Sequence, residues 1–319
     1  MGSAGCCAPA TMLPRLKRAA EAALTPFAAL LAQHRTARRE TLVLAWHNIV
    51  PTGSAIRGEA SLHLPQYLFA EQLDLLLASH QVIPLDALRE RPYGRKPRAV
   101  ITFDDAYTGA LTAGIEELDR RRIPATCFIA PGFIPGRTFW WDEAAAAGVL
   151  SPESREHAIT DLMGDGESIR EEFGLAHMAG VDCADVGGLE LPDHTHAADL
   201  AALEAAAAVP GITFGSHTWN HLNIARIGDE QAIREMAESR RWLDERFCNI
   251  TKWISFPYGR TSARCNRIAE AGGYDGALLI EGGWVGSADR DAFVIPRLNV
   301  PGGLSVNGLR LRTAGMLVS

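Results

Sequence analysis

Short apolar runs alternate along this chain with stretches of helical periodicity. The runs at Thr41–Trp46, Gln81–Pro84, Ala99–Phe103, Ala125–Ile129, Ile212–Gly215, Trp253–Phe256, Gly276–Ile280 and Phe293–Ile295 read as strands. Leu68–Ser79, Thr112–Arg121, Glu230–Arg246 and Ala263–Ala271 carry apolar residues at the spacing that builds one face of a helix. Strand and helix in alternation predict an α/β chain with a parallel sheet, and this many repeats predicts that the sheet closes into a (β/α) barrel.

Two stretches fall outside that alternation. Residues 13–35 place Leu16, Ala20, Leu24, Phe27, Leu30 and Leu31 at helical spacing. They predict an amphipathic helix packed on the barrel floor, with a membrane surface or a partner as the alternative contact. The chain then divides into a tail and helix over 1–40 and a barrel over 41–319. Between Ile129 and Ile212 lies a segment too long for a plain connection. It predicts a helical insertion over about 136–210 that partly roofs one end of the barrel. The insertion opens with Phe139-Trp140-Trp141-Asp142-Glu143, whose tryptophans either stack on a ligand or pack inward. His194-Thr195-His196, beside turn-forming Pro192 and Asp193, reads as a polar loop in preference to a second metal site.

Composition narrows the function without choosing it. The 319 residues suit one barrel. With 31 basic and 38 acidic residues the net charge is -7, which argues against a nucleic-acid partner. The short basic clusters at Arg35, Arg38 and Arg39 and at Arg120 to Arg122 read as solvated helix ends. Six cysteines (Cys6, Cys7, Cys127, Cys183, Cys248, Cys265) show no CxxC spacing and read as reduced thiols. The sequence has no run of membrane-spanning length and no clean signal-peptide core, so the expected location is the cytoplasm.

The chemistry concentrates at two strand ends. Asp104 and Asp105 follow the run ending at Phe103, and His217-Thr218-Trp219-Asn220-His221 follows the run near Gly215. In an α/β barrel the C-terminal strand ends form the catalytic face. Two imidazoles and one carboxylate make a three-ligand metal site with room for water, and the second carboxylate is left to act as a base. Each pattern alone is as well explained by a turn or a helix cap; their combination points to a metal hydrolase.

Thr102-Phe103-Asp104-Asp105 and Ser216-His217-Thr218-Trp219-Asn220-His221 resemble the first two motifs of the NodB-homology polysaccharide deacetylases, carbohydrate esterase family 4. Pro124-Ala125-Thr126-Cys127-Phe128-Ile129 resembles that family's "PATFF" strand, and Phe256-Pro257-Tyr258-Gly259 the end of its third motif. The resemblance runs from about Leu42 to about Val300. It implies a distorted (β/α) barrel of the NodB-homology type and removal of N-acetyl, sometimes O-acetyl, groups from sugars. It further implies Asp104 as general base, Asp105, His217 and His221 as metal ligands, and the Tyr258 backbone N–H as oxyanion contact. Trp140, Trp141, Trp219 and Pro257 are the expected substrate contacts. The implied cofactor is one divalent metal, zinc suiting the donors best, with cobalt, nickel, manganese or iron as alternatives.

Two departures set this chain apart. The third-motif arginine that would orient the base is replaced by Ser255, and Arg297, ending a late strand, is the candidate substitute. No histidine occurs after His221, so the C-terminal general acid is missing. Val43-Leu44-Ala45-Trp46-His47 offers a histidine at the end of the first strand, resembling the permuted branch that deacetylates poly-N-acetylglucosamine. In a closed barrel the first and last strands are neighbours, so His47 is the expected general acid. The expected substrate is an N-acetylated amino sugar in a glycan, a precursor or a glycosylated small molecule. Hydrolysis of a cyclic amide or imide, or a non-catalytic sugar-binding module, are the alternatives.

Overall fold

The computed structural model describes residues 19–28, 40–90, 96–134, 136–175, 191–286 and 291–316. Its strands are β1 (Thr41–Trp46), β2 (Asn48–Val50), β3 (His63–Pro65), β4 (Gln81–Val82), β5 (Arg98–Phe103), β6 (Ala125–Ile129), β7 (Ile212–Ser216), β8 (Ile250–Ser255), β9 (Gly276–Leu278), β10 (Trp284–Val285) and β11 (Leu298–Asn299). The main sheet runs β10-β1-β5-β6-β7-β8-β9, with β11 added on β1 and β4 on β5. All its pairings are parallel except β1 with β10.

The chain from Ile295 to Asn299 joins the two ends of this path. Ile295 bridges Leu278 of β9, and Leu298 and Asn299 pair with Leu44 and Ala45 of β1. The predicted strand at Phe293–Ile295 is thereby corrected: its last residue forms a bridge, and the paired strand comes three residues later. Arg297 lies between the two pairings. The strands at Gln81–Pro84 and Gly276–Ile280 are shorter than their apolar runs, and β2, β3 and β10 have too few residues to show a period.

Side chains alternate across the sheet. Leu42, Leu44, Ile101, Phe103, Cys127 and Ile129 face outward into the core shared with the helices. Val43, Val100, Phe128, Trp253, Leu278 and Ile295 form a separate cluster with Ile83, Leu85 and Leu88. That second set fills the barrel's interior, so Thr102 and Ser255, two residues beyond Val100 and Trp253, point inward at its upper end.

The helices are α1 (residues 19–28), α2 (Gln66–Ser79), α3 (Ile115–Arg121), α4 (Trp140–Ala146), α5 (Pro152–Thr160), α6 (Gly166–Glu172), α7 (Leu200–Ala207), α8 (Asp229–Arg246), α9 (Ala263–Ala271) and α10 (Val306–Thr313). Ser151, Asp165, Asp199, Ser262 and Ser305 accept a backbone N–H at the starts of α5, α6, α7, α9 and α10. Each satisfies a donor that the helix itself cannot. α1 packs on α10: Ala28 meets Leu311 and Ala314, and Ser305 Oγ donates to Glu21. Phe27 stays exposed. Residues 13–18 and 29–35 of the predicted helix lie outside the described residues, as do Arg35, Arg38, Arg39, Cys6, Cys7 and Cys183. Cys127, Cys248 and Cys265 are free thiols. Arg120 and Arg121 close α3 in ion pairs with Glu116, Glu117 and Asp74, which makes that basic cluster a paired helix end. Among the described residues, no helix is long and apolar enough to cross a membrane.

Helices α4 to α7 belong to the insertion, and a buried polar chain pins it to the barrel. Asp142 of α4 accepts from His63 Nε2 and the Glu59 N–H at 2.8 Å each, and from the Tyr107 hydroxyl at 2.7 Å. Asn48 Nδ2 donates to His63 Nδ1 (2.9 Å) and reaches His194 Nδ1 at 3.3 Å. His194 Nε2 donates to the Ala55 carbonyl, so this histidine is a buried link between segments. His63 and Asp142 are fully enclosed. Removing one partner of such a pair leaves the other polar group stranded in low dielectric. Asp142→Ala is therefore expected to cost about 3–5 kcal/mol in urea unfolding. Tyr107→Phe, which removes the bond to Asp142 and the one accepted from the Trp141 indole N–H, should cost about 1–3 kcal/mol.

Candidate active site

The ends of β1, β5, β7 and β8 bring the candidate residues together. Asp104 continues the ladder, its N–H donating to the Trp46 carbonyl, and the His217 N–H donates to the Ile129 carbonyl. His47, Asp104, Asp105, His217, His221 and Tyr258 all line one pocket of about 210 Å³. Trp141, Arg155 and Ile159 from the segment between β6 and β7 wall one part of it, and Ser61, Leu62, Gly259, Ile280 and Asn299 complete the lining.

Asp105, His217 and His221 each offer a ligand atom, all within 4.8 Å of one another, and all three residues are buried. His217 Nε2 stands 3.3 Å and His221 Nε2 3.1 Å from Asp105 Oδ1. Ligands at about 2.1 Å from a tetrahedral zinc stand about 3.4 Å apart, so the set fits such an ion. Asp105 Oδ1 is buried with no hydrogen-bond donor in line, an arrangement a cation would satisfy. His217 Nδ1 donates to the Ser255 carbonyl at 2.7 Å, which leaves Nε2 with a free lone pair facing the group. Neither His194 nor His196 belongs to a metal-ready group among the described residues.

Backbone strain is concentrated here. Among the described residues seven non-glycine residues have positive φ, and Asp105, Ala106, Thr218, His221 and Tyr258 are five of them. Each sits in the left-handed region that side chains with a Cβ avoid, and each must be held there by its surroundings.

Arg297 is fully buried and uses all five guanidinium N–H groups. Nη1 donates to Asp104 Oδ1 (2.8 Å) and Thr102 Oγ1 (3.0 Å), and Nη2 to Asp104 Oδ2 (2.6 Å) and Ser255 Oγ (2.8 Å). Nε donates to the Leu279 carbonyl at 2.5 Å. Ser255, at the position of the expected motif arginine, stands 3.3 Å from Asp104 Oδ2 and leaves the space that the arginine from the closing segment fills.

Electrostatics follow from this packing. Burial opposes ionisation of Asp104, but the Arg297 charge and hydrogen bonds, with His217 and His47 nearby, hold its carboxyl below the usual range. Burial likewise opposes Asp105, and contacts from His217 and His221 more than offset it. Burial lowers the pKa of His47 and outweighs the attraction of Asp105 and Asp104. His217 is raised: burial works against it, and the two aspartates prevail. Burial pushes His221 down.

Four expected substrate contacts are distributed differently. Trp141 is buried and lines the pocket, its ring 4.9 Å from that of His221. Trp140 is buried beneath the wall, its indole N–H donating to the Tyr258 hydroxyl at 3.3 Å. It packs because Phe173 and Trp141 meet it edge-on. Trp219 and Pro257 do not line the pocket; Pro257 is buried at the turn that presents Tyr258. Arg155, Ser61 and Asn299 are lining residues that the sequence reading missed, since nothing local distinguishes them.

The polysaccharide deacetylase family profile matches residues 192–277. The Bacillus subtilis (strain 168) protein YxkH is 34% identical over 95 residues, 30% of this chain and 34% of that protein, so the match spans about a third of the curated relative. Among solved structures, the Streptococcus pyogenes deacetylase PplD in complex with acetate superposes with a TM-score of 0.57 at 17% identity, covering 86% of this chain and 98% of that one. IcaB from Ammonifex degensii superposes with a TM-score of 0.56 at 14% identity, covering 86% and 97%. Residues 192–277 thus resemble the polysaccharide deacetylase family, and the barrel that contains them shares its fold with these solved structures.

Proposed function

We propose that this chain is a metal-dependent amide hydrolase that removes the N-acetyl group of an amino sugar. The observation that carries the reading is one pocket holding a three-ligand group, a second carboxylate outside that group and a histidine. Asp105, His217 and His221 would hold a divalent ion, best zinc, which when bound supplies polarisation of the acyl carbonyl and activation of water. Asp104, ionised and fixed by Arg297, accepts the proton of the attacking water as its oxygen bonds to the acyl carbon. The Tyr258 backbone N–H is the donor for the developing oxyanion, on a residue that lines the pocket. His47 in its protonated form donates to the amide nitrogen as the C–N bond breaks, since an amine leaves poorly unprotonated, and the burial that lowers its pKa makes it the stronger acid. The products are acetate and the free amino sugar. A pocket of about 210 Å³ lies below the usual range for drug-sized ligands, which favours one sugar ring at the reacting position.

Acetate release from a panel running from N-acetylglucosamine and its nucleotide sugar to short oligomers tests the reading. Wild type should release acetate from at least one compound. Asp104→Asn should lose about 10²–10⁴-fold in turnover yet retain metal, and His47→Ala should lose a similar factor. His217→Ala should lose both metal and turnover. No acetate from any compound, with one metal bound per chain, would reject the substrate class.

Arg297 yields a pH prediction. Arg297→Met removes the counter-charge and leaves Asp104 buried, so its pKa rises and the base is protonated at pH values where wild type is ionised. The acid limb of kcat/KM should move upward, with partial recovery of activity as pH increases. An unmoved acid limb would show that Arg297 does not set the state of the base.

A further inference from the structure

His217 and His221 come from one loop, and their separation is set by the conformation of the three residues between them. That conformation is unfavourable by itself: Thr218 has φ +62° and His221 φ +58°. Something outside the loop must hold it. Glu235, in the second turn of α8 and buried, accepts at Oε2 from the backbone N–H groups of Trp219 (2.9 Å) and Asn220 (2.7 Å). Its Oε1 accepts from the Asn220 side-chain amide at 2.9 Å. On the opposite side the Trp219 carbonyl accepts from the Gly132 N–H at 2.8 Å. A Cβ at Gly132 would stand 2.7 Å from that carbonyl and 2.6 Å from Asn220 Oδ1, so only glycine lets β6's end approach the loop this closely. One turn further along α8, Ser239 bonds Ser216 at the base of the loop (2.9 Å).

We propose that Glu235 is the positioning residue of the metal site, its carboxylate clamping the Trp219 and Asn220 amides so that both imidazoles are set for one ion. The inference rests on the metal reading of the pocket. It does not require Glu235 to touch the ion: the carboxylate acts through the loop. With the clamp removed, two adjacent backbone N–H groups are left without their acceptor and the left-handed residues can relax. The histidines then separate, and the cost of bringing them back is taken from metal affinity. Loss of a group that orients ligands typically weakens metal binding by about 10–100-fold.

The test is the zinc Kd of folded protein, measured by competition with a chromophoric chelator. Glu235→Ala should bind zinc about 10–100-fold more weakly than wild type. Glu235→Gln keeps one carbonyl oxygen for both backbone amides, while the Asn220 amide can turn to accept from the new NH₂; its Kd should lie nearer wild type than that of the alanine variant. Leu243→Ala, which damages the packing of α8 two turns away, should keep the wild-type Kd. Should Glu235→Ala not fold, Glu235→Met carries the same test, since it fills the space without an acceptor. A folded Glu235→Ala or Glu235→Met with wild-type zinc affinity would overturn the proposal, as would equal losses in all the variants. A wild type that takes up no zinc is a separate failure, of the metal reading itself.

Discussion

A single buried guanidinium ties the barrel's closure to its chemistry. Arg297 lies on the segment that joins β9 to β1, and its bonds reach Thr102 and Asp104 at the end of β5, Ser255 at the end of β8 and Leu279 beyond β9. A buried charge is tolerated only when paired and fully hydrogen-bonded, and here every donor has an acceptor. The closing segment has only short pairings of its own, so this ion pair is a principal bond between the last part of the chain and the centre of the sheet. Its pairing with Asp104 also lowers the pKa of that carboxyl, against the burial that works to raise it.

Above that seam the loops are strained, and the strain is contained by neighbours that take no part in the chemistry. Positive φ at Asp105, Thr218, His221 and Tyr258 is incompatible with an unsupported loop. The supports are specific: the Ser255 carbonyl on His217, Glu235 on the tip of the histidine loop, and the glycine at 132 that permits close approach. These contacts explain why a site of few ligands depends on several strands and a helix.

The segment between β6 and β7 walls the pocket, and the strand ends supply its titratable groups. Asp142, His63, Asn48 and His194 make a buried polar chain that fixes α4 against the segment after β1. With α4 fixed, Phe133, Phe139 and Trp141 stack at centroid separations of 4.9 and 4.8 Å, and Trp141 forms the pocket wall beside His221. Arg155 and Ile159 of α5 extend that wall. The outcome is a small pocket with its tryptophans folded inward, in place of an exposed aromatic platform.

Local pattern was enough to point to the residues that line the candidate site. The run Thr41–Trp46 became β1 residue for residue, and Asp104, Asp105 and His217 come directly after buried strands, with His221 in the same loop as His217. His47 follows β1 and lines the same pocket, since the first strand of a closed barrel stands beside the last. Ser255 marked a missing charge, yet whether Arg297 would supply it could not be read, because an arginine late in a chain looks the same in solvent and in a core. The partnerships of Asp142 with His63 and of Glu235 with the histidine loop were equally silent. They join residues far apart in the chain, and hydrophobic periodicity records only which face of an element is buried. Which polar groups meet on that buried face was decided by how the sheet closed and where the insertion docked, because the cost of an unpaired polar group exists only once tertiary packing has excluded water.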